Sequence, residues 1–116
     1  MASVEECRAA LARASDRIME VEEADRRKHI EERSVSVAVP DLATVFDMRL
    51  TLNGLENVTP RGTTAPAERA QVRITVSSDD LVELADDRMN FGRALFSGRV
   101  RLDVSFSDLL RLRKLL

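Results

Sequence analysis

The spacing of the apolar residues first changes just before Val35, and this change constrains the fold most. Between Val4 and Val21 apolar residues recur every three or four positions, which is typical of one face of an amphipathic helix. From Val35 they alternate with polar residues, as at Val37 and Val39, which is typical of a strand with one buried face. The pattern therefore predicts a helix followed by a sheet whose apolar face needs cover.

The predicted N-terminal helical segment covers residues 1–33. Ser3 and Glu6 form a capping-box pattern, which predicts that the first helix begins at Val4. Beyond Val21 the apolar repeat is lost and charged residues dominate. This second half is interpreted either as a solvated extension of the first helix or as a second short helix.

The clearest strand is predicted at 42–52, where apolar and polar residues alternate after a turn at Pro40. The pair Asn53–Gly54 tolerates the positive φ angles of a two-residue type I′ turn, so 55–59 is expected to fold back as the hairpin partner. Residues 60–68 contain two prolines and a glycine and are predicted to form a loop.

The rest of the chain combines strands and short helices. The expected elements are a strand at 70–76, a helix capped by Ser77, a helix between Asn90 and Gly98, a strand at 99–106, and a helix capped by Ser107. This order predicts an α+β fold with a mostly antiparallel sheet and helices covering one face. At this length one domain, 1–116, is expected, in which 34–116 form the sheet and its covering helices.

The charges are nearly balanced, with 20 acidic and 18 basic residues. A nucleic-acid-binding protein needs a basic excess, so that class is excluded. No apolar stretch is long enough to span a bilayer and the N-terminus lacks a signal-peptide pattern, so a cytoplasmic protein without a transmembrane segment is expected. Cys7 is the only cysteine, which excludes an internal disulfide and a cysteine-based zinc site.

Few residues are suited to catalysis. His29 lies in a run of charged residues, which is typical of a surface histidine, and Cys7 lies on the apolar stripe of the first helix, where a thiol behaves as a small hydrophobe. The carboxylates from Asp79 to Asp87 could share a helical face and hold a divalent cation weakly, but acids at a helix N-terminus also favour the macrodipole. We therefore expect no enzyme activity, no catalytic residue, no metal and no cofactor.

The remaining candidate site is apolar. One large set of side chains, including all four phenylalanines, is predicted to face the covering helices. Its members of interest are Phe46, Met48, Leu50, Ile74, Phe91, Leu95, Phe96, Leu102, Phe106, Leu109 and Leu112. Periodicity alone does not distinguish a packed core from a cavity in this set.

The C-terminal half resembles the sterol carrier protein type 2 domain family, in the form of a small free-standing bacterial member. The residues that carry the resemblance are Ala94-Leu95-Phe96-Ser97-Gly98, then Arg99-Val100-Arg101-Leu102, then the leucines from Leu109 onward. The resemblance implies a five-stranded sheet with helices over one face and an apolar tunnel for a fatty acid, acyl-CoA, sterol-like molecule or phospholipid chain. The apolar set would then be the wall of that tunnel.

Basic residues are concentrated from residue 99 onward, where the sequence has five of them and two acidic residues, Asp103 and Asp108. If a tunnel opens near the last helix, Arg111, Arg113 or Lys114 could bind a carboxylate or phosphate head group at its mouth. The alternative is that these cations only stabilise the C-terminus of a helix.

Two functions are therefore left open. The first is non-catalytic binding or carriage of an apolar ligand in a hydrophobic cavity between sheet and helices. The second is a protein-interaction or regulatory module, dimerising through the N-terminal helix or serving an enzyme partner, with a collapsed cavity and no ligand.

Overall fold

The fold is known from a computed structural model that describes residues 1–64 and 69–104. The helices are α1 (Val4–Glu20), α2 (Glu23–His29), α3 (Ser78–Ala85) and α4 (Phe91–Ser97). The strands are β1 (Arg33–Val39), β2 (Thr44–Thr51), β3 (Gly54–Gly62), β4 (Val72–Val76) and β5 (Val100–Asp103). The predicted final helix and the end of the predicted fifth strand lie outside the described residues.

The five strands form one sheet in the order β3-β2-β1-β4-β5. Three of its pairings are antiparallel, but β1 and β4 run parallel, with Val35 opposite Val72 and Val37 opposite Ile74. The sheet is thus mixed, in an α+β fold, and mostly antiparallel as expected. The parallel pair arises because the chain leaves β3 at one edge and crosses β2 and β1 before it re-enters the sheet.

The first helix begins as the capping box predicts. The Ser3 hydroxyl accepts a hydrogen bond from Glu6 N at 3.1 Å, and the Glu6 carboxylate accepts one from Ser3 N at 3.2 Å. A second short helix follows rather than an extension, because the Arg26 guanidinium donates to the carbonyl oxygens of Met19 and Val21 at 3.0 and 2.6 Å. These two bonds satisfy carbonyl groups that a continuing helix would have used.

The hairpin turn lies one residue earlier than predicted. Thr51 pairs with Gly54, so the two turn residues are Leu52 and Asn53, and Gly54 has a φ of +93° at the start of β3. The reason is a contact from α1: the Leu55 amide donates to Ser15 Oγ at 2.9 Å, and a Cβ at Gly54 would lie 2.4 Å from the same oxygen. Only glycine meets both the backbone angle and this close approach.

The hairpin strand is also longer than predicted, because β3 continues to Gly62 through part of the expected loop. Pro60 is accommodated there since β3 is an edge strand, where one side of the backbone needs no partner.

Farther along the chain, the predicted helix caps are confirmed. Ser77 Oγ accepts from Asp80 N at 3.2 Å, Asn90 Oδ1 accepts from Arg93 N at 3.0 Å, and Gly98 ends α4 at φ +81°.

The core lies between the apolar face of the sheet and the helices α1 and α3. These two helices run side by side in the same direction, with Ala2 N donating to Ser78 Oγ near their beginnings and Arg17 contacting Asp87 near their ends. The other face of the sheet carries ion pairs between neighbouring strands, such as that between Arg73 and Asp103. None of the helices in 1–64 and 69–104 is long and apolar enough to cross a membrane.

Candidate functional site

A cavity of about 470 Å³ lies between the sheet and the ends of α1 and α3, next to the beginning of α4. Its floor is formed by alternating side chains of β1 and β4 together with Met48 of β2. The residues that line it are Leu11, Ala14, Arg17, Val35, Val37, Met48, Leu55, Ile74, Val76, Leu81, Leu84, Ala85, Asp87, Met89, Asn90, Phe91 and Gly92. The lining is apolar apart from its polar rim.

Short side chains keep this space open. Ala14 on α1 and Ala85 on α3 face the cavity, so each helix presents a methyl group where a leucine would reach the sheet. Leu11, one turn before Ala14, is only 4% exposed and packs into the core. Helix α1 therefore fills the space above the sheet at Leu11 and leaves it open one turn later, at Ala14.

The mouth of the cavity lies at the connection between α3 and α4. Its rim residues Arg17, Asp87, Asn90 and Gly92 are all exposed, unlike the half-buried or buried side chains deeper in. One guanidinium nitrogen of Arg17, Nη1, lies 3.4 Å from the Leu84 carbonyl oxygen and 3.5 Å from an Asp87 carboxylate oxygen. This contact joins the end of α1 to the end of α3 across the opening.

Asp87 occupies an unusual backbone position. Its φ is +62°, in the left-handed region where glycine usually ends a helix, and the next amide, Arg88 N, donates to the Glu83 carbonyl oxygen at 2.9 Å. Asp86 beside it is held differently, with Arg13 at 2.9 Å and Arg88 at 2.8 Å. The Arg88 hydrogen bond, reinforced by Arg13, lowers the pKa of Asp86.

The structure brings part of the predicted apolar set together. Met48, Ile74 and Phe91 line the cavity, whereas Phe46 is fully buried in the core and Leu50 packs half-buried against it. Leu95 and Leu102 border a separate, shallower depression with Arg73, Arg101 and Asp103. The other members, Phe106, Leu109 and Leu112, and the head-group candidates Arg111, Arg113 and Lys114, lie outside the described residues.

The expectation that Phe96 faces inward is wrong, since its side chain is 97% exposed. In the seven-residue helix α4 the buried position is Ala94, at 1% exposure. Phe96 follows two residues later, which places it about 200° around the helix, on the opposite side. Because Ala94, Leu95 and Phe96 are all apolar, the sequence alone does not show which of them faces the core.

Several lining residues were not among the predicted ligand contacts. Leu81, Leu84 and Ala85 have the spacing of one helical face in α3, and Leu11 and Ala14 lie on the apolar stripe of α1, so the sequence carries a signal for them. Arg17 lies one turn after Ala14 and therefore at the border of that stripe, but its charge favours a solvent-facing position. No pattern pointed to Met89, which lies in the connection between α3 and α4.

Cys7 and His29 lie away from the cavity lining. Cys7 is fully buried at the other end of α1; burial, followed by the charges of Asp41, Glu6 and Asp79, raises the pKa of its thiol. His29 is half-buried at the end of α2. Within 1–64 and 69–104, the histidine, cysteine and carboxylate side chains form no group of three that could hold a metal ion.

The family model of the SCP-2 sterol transfer family matches residues 11–116, from the middle of α1 onward. The chain belongs to this family. Membership makes lipid or sterol binding, in general terms, its expected activity, and the cavity lies where the matched elements enclose the sheet. Among curated proteins, none matches the chain in sequence.

Solved structures show the same fold in SCP-2 proteins of other organisms. The palmitated SCP2L2 of Aedes aegypti has a TM-score of 0.60 at 19% identity, covering 98% of this chain and 94% of its own. The sterol carrier protein domain 2 of Helicoverpa armigera has a TM-score of 0.64 at 19% identity, covering 98% and 89%. At these identities the likeness concerns the fold alone.

The fold also occurs within a larger enzyme. The stereoselective inverting sec-alkylsulfatase Pisa1 from Pseudomonas sp. matches with a TM-score of 0.54 at 19% identity. The match covers 76% of this chain but 13% of that one. An SCP-2-like unit is thus found both as a small protein and as a minor part of a long chain.

Proposed function

We propose that this protein binds and carries an apolar ligand in the cavity between its sheet and helices, without chemical change to the ligand. The observation that carries the proposal is the apolar lining of a space of about 470 Å³, which is in the usual size range of small-molecule sites, roughly 300–1,000 Å³. The ligand classes that suit it are fatty acids, acyl-CoA, sterol-like molecules and phospholipid chains.

The energetics favour an occupant. At about 24 cal/mol per Å³, a dry cavity of this volume would cost roughly 11 kcal/mol. That is comparable to the entire stability of a small domain, about 5–15 kcal/mol. A hydrocarbon chain that fills the space offsets this cost and gains about 0.8 kcal/mol for each buried CH₂ group.

The proposal extends to the whole chain. Residues 1–116 act as one lipid-binding domain in the cytoplasm, using no cofactor and no catalytic group. The palmitate named for the Aedes aegypti relative supports a fatty acid as the first ligand to test. A module that dimerises through the N-terminal helix has less support, because Cys7, Ala10 and Leu11 of α1 already pack within their own chain.

A variant that fills the cavity tests the proposal. Ala14→Leu places three more carbon atoms into the space beside the sheet, whereas Ala12→Leu makes the same change on the exposed side of the same helix. We expect Ala14→Leu to weaken binding of the fluorescent fatty acid cis-parinaric acid about tenfold or more without loss of thermal stability, because it fills a cavity. Ala12→Leu should bind like the wild type.

Equal binding by the two variants would place the ligand elsewhere. Mass spectrometry of organic extracts from the purified protein supplies the independent readout. The proposal expects a co-purifying lipid in the wild type that is depleted in Ala14→Leu. If the wild type yields no lipid and binds no fatty acid, it is not a carrier.

A further inference from the structure

We propose that Arg17 anchors an anionic head group at the mouth of the cavity, and that Asp87 is the internal carboxylate that such a ligand displaces. This inference rests on the proposed function and specifies its ligand as a chain with a carboxylate or phosphate at one end. It also relocates head-group binding from the predicted C-terminal cations to α1.

The first argument is the placement of charge. Among the described residues that line the cavity, Arg17 and Asp87 are the charged ones, and both lie on the rim. An apolar chain that enters the cavity therefore leaves its polar end beside a guanidinium. In a mostly apolar site, a few placed polar groups of this kind determine ligand orientation.

The second argument is that Arg17 is held loosely. Its two contacts in the described part of the chain, to Leu84 O and Asp87, are 3.4 and 3.5 Å long and use the same nitrogen, Nη1. By contrast, Arg13 one turn earlier reaches Asp86 at 2.9 Å. A guanidinium has five N–H donors, and a carboxylate or phosphate can engage two of them at once in a shorter, charge-assisted pair.

The third argument is that Asp87 is a weak competitor. Its side chain is 87% exposed, and exposed pairs of this kind contribute little because water and salt screen them. The other carboxylate nearby, Asp86, is already paired with Arg13 and Arg88, which reduces its repulsion of an incoming anion. The pair of Arg17 with Asp87 thus spans the mouth only weakly, and a stronger anion can replace Asp87.

The test compares ligands that share a chain and differ in head group: palmitate, hexadecyl phosphate and neutral 1-hexadecanol. Dissociation constants are measured for the wild type, Arg17→Gln and the matched control Arg8→Gln, which alters an exposed arginine of the same helix that pairs with Glu5 and lies outside the cavity lining. We expect Arg17→Gln to weaken binding of at least one anionic ligand about tenfold and to change 1-hexadecanol less than twofold. Arg8→Gln should leave all three ligands within twofold of the wild type.

A second variant keeps the inference testable if Arg17→Gln is poorly folded. Asp87→Asn removes the competing charge, so it should strengthen binding of the anionic ligand about threefold and leave 1-hexadecanol unchanged. The anionic ligand whose dissociation constant rises in Arg17→Gln identifies the head group as a carboxylate or a phosphate. The inference is overturned if Arg17→Gln weakens the neutral and anionic ligands equally, or weakens none while the wild type binds all three. If the wild type binds none of them, the proposed function itself fails.

Discussion

The layer between the sheet and the helices has two ends that differ although similar residues build both. At the beginnings of α1 and α3, Phe46, Val39, Cys7 and Ser78 are all less than 2% exposed and fill the space. At the ends of the same helices, half-buried side chains such as Leu84 surround a cavity of about 470 Å³. The comparison teaches that an alternating apolar pattern specifies which face is covered, while side-chain size at single helix positions specifies whether the layer is filled.

The two ends are also joined differently. At the packed end the Asp41 carboxylate accepts hydrogen bonds from the Ser78 amide, at 3.0 Å, and from the Ser78 hydroxyl. At the cavity end the helices are joined by exposed arginine–aspartate pairs. Charge-assisted, partly buried hydrogen bonds hold a fixed geometry, whereas exposed ion pairs exchange partners readily.

The largest expected effect contrasts a core truncation at each end. Phe46→Ala should lower the free energy of unfolding by about 3–5 kcal/mol, because it leaves a void in a filled region. Leu84→Ala should cost about 1 kcal/mol, since that side chain already borders open space. Urea unfolding of both variants measures the contrast. Equal losses would mean that the two ends are packed alike.

The next effect concerns the contact between Ser15 of α1 and the start of β3, next to the cavity residue Leu55. Gly54→Ala should lower stability by about 2 kcal/mol or more, because alanine is strained at φ +93° and its Cβ would meet Ser15 Oγ. Gly62→Ala is the matched control on the same strand, where an added Cβ meets nothing within 4 Å. Thermal unfolding of the pair should show a large shift for the first and almost none for the second.

A smaller effect at the packed end is its response to acidic pH. The hydrogen bond from the Ser78 hydroxyl, with that from the Ser78 amide, lowers the pKa of Asp41 below its ordinary value of 3.8. Its stabilising contribution is therefore complete above pH 3.8 and is lost as pH falls through the lower folded pKa. The stability difference between the wild type and Asp41→Asn should shrink over that acidic window. A difference that stays constant would show that Asp41 contributes no protonation-linked stability.

The smallest effect is the response to salt. The pKa of Asp86 is lowered by exposed arginines, and such pairs weaken when the ionic strength rises to 1 M. The destabilisation caused by Asp86→Asn should therefore diminish in high salt, while that caused by Asp41→Asn should persist. Chemical denaturation with urea, which is uncharged, at low and high salt measures both.

Much of the fold could be predicted because its signals are local. The capping residues Ser3, Ser77 and Asn90 and the alternation in β1 depend on neighbours within a few positions, and the structure agrees with them. The hairpin turn was misplaced by one residue because Ser15, distant in sequence, decides where Gly54 must lie. Phe96 was misplaced because a short segment rich in apolar residues does not show which side of a helix is covered.

The cavity could not be predicted from the spacing of apolar residues. Its lining combines residues from β1, β2, β3, β4 and three helices, so its size depends on how those elements approach one another. Arg17 illustrates the limit: it reads as one of many surface arginines in the sequence, and only the docking of α1 beside α3 brings it to Asp87. The apolar character of the site was predictable, but its mouth was not.

The position of β1 in the sheet has a consequence for the order of assembly. One edge of β1 pairs with β2, which follows it directly, but the other edge pairs with β4, with Val35 opposite Val72. During synthesis the three-stranded meander of β1, β2 and β3 can form early, leaving the Val-rich edge of β1 without a partner until β4 has been made. An unpaired apolar edge invites association with other chains, so this interval is when a nascent chain is most exposed to aggregation.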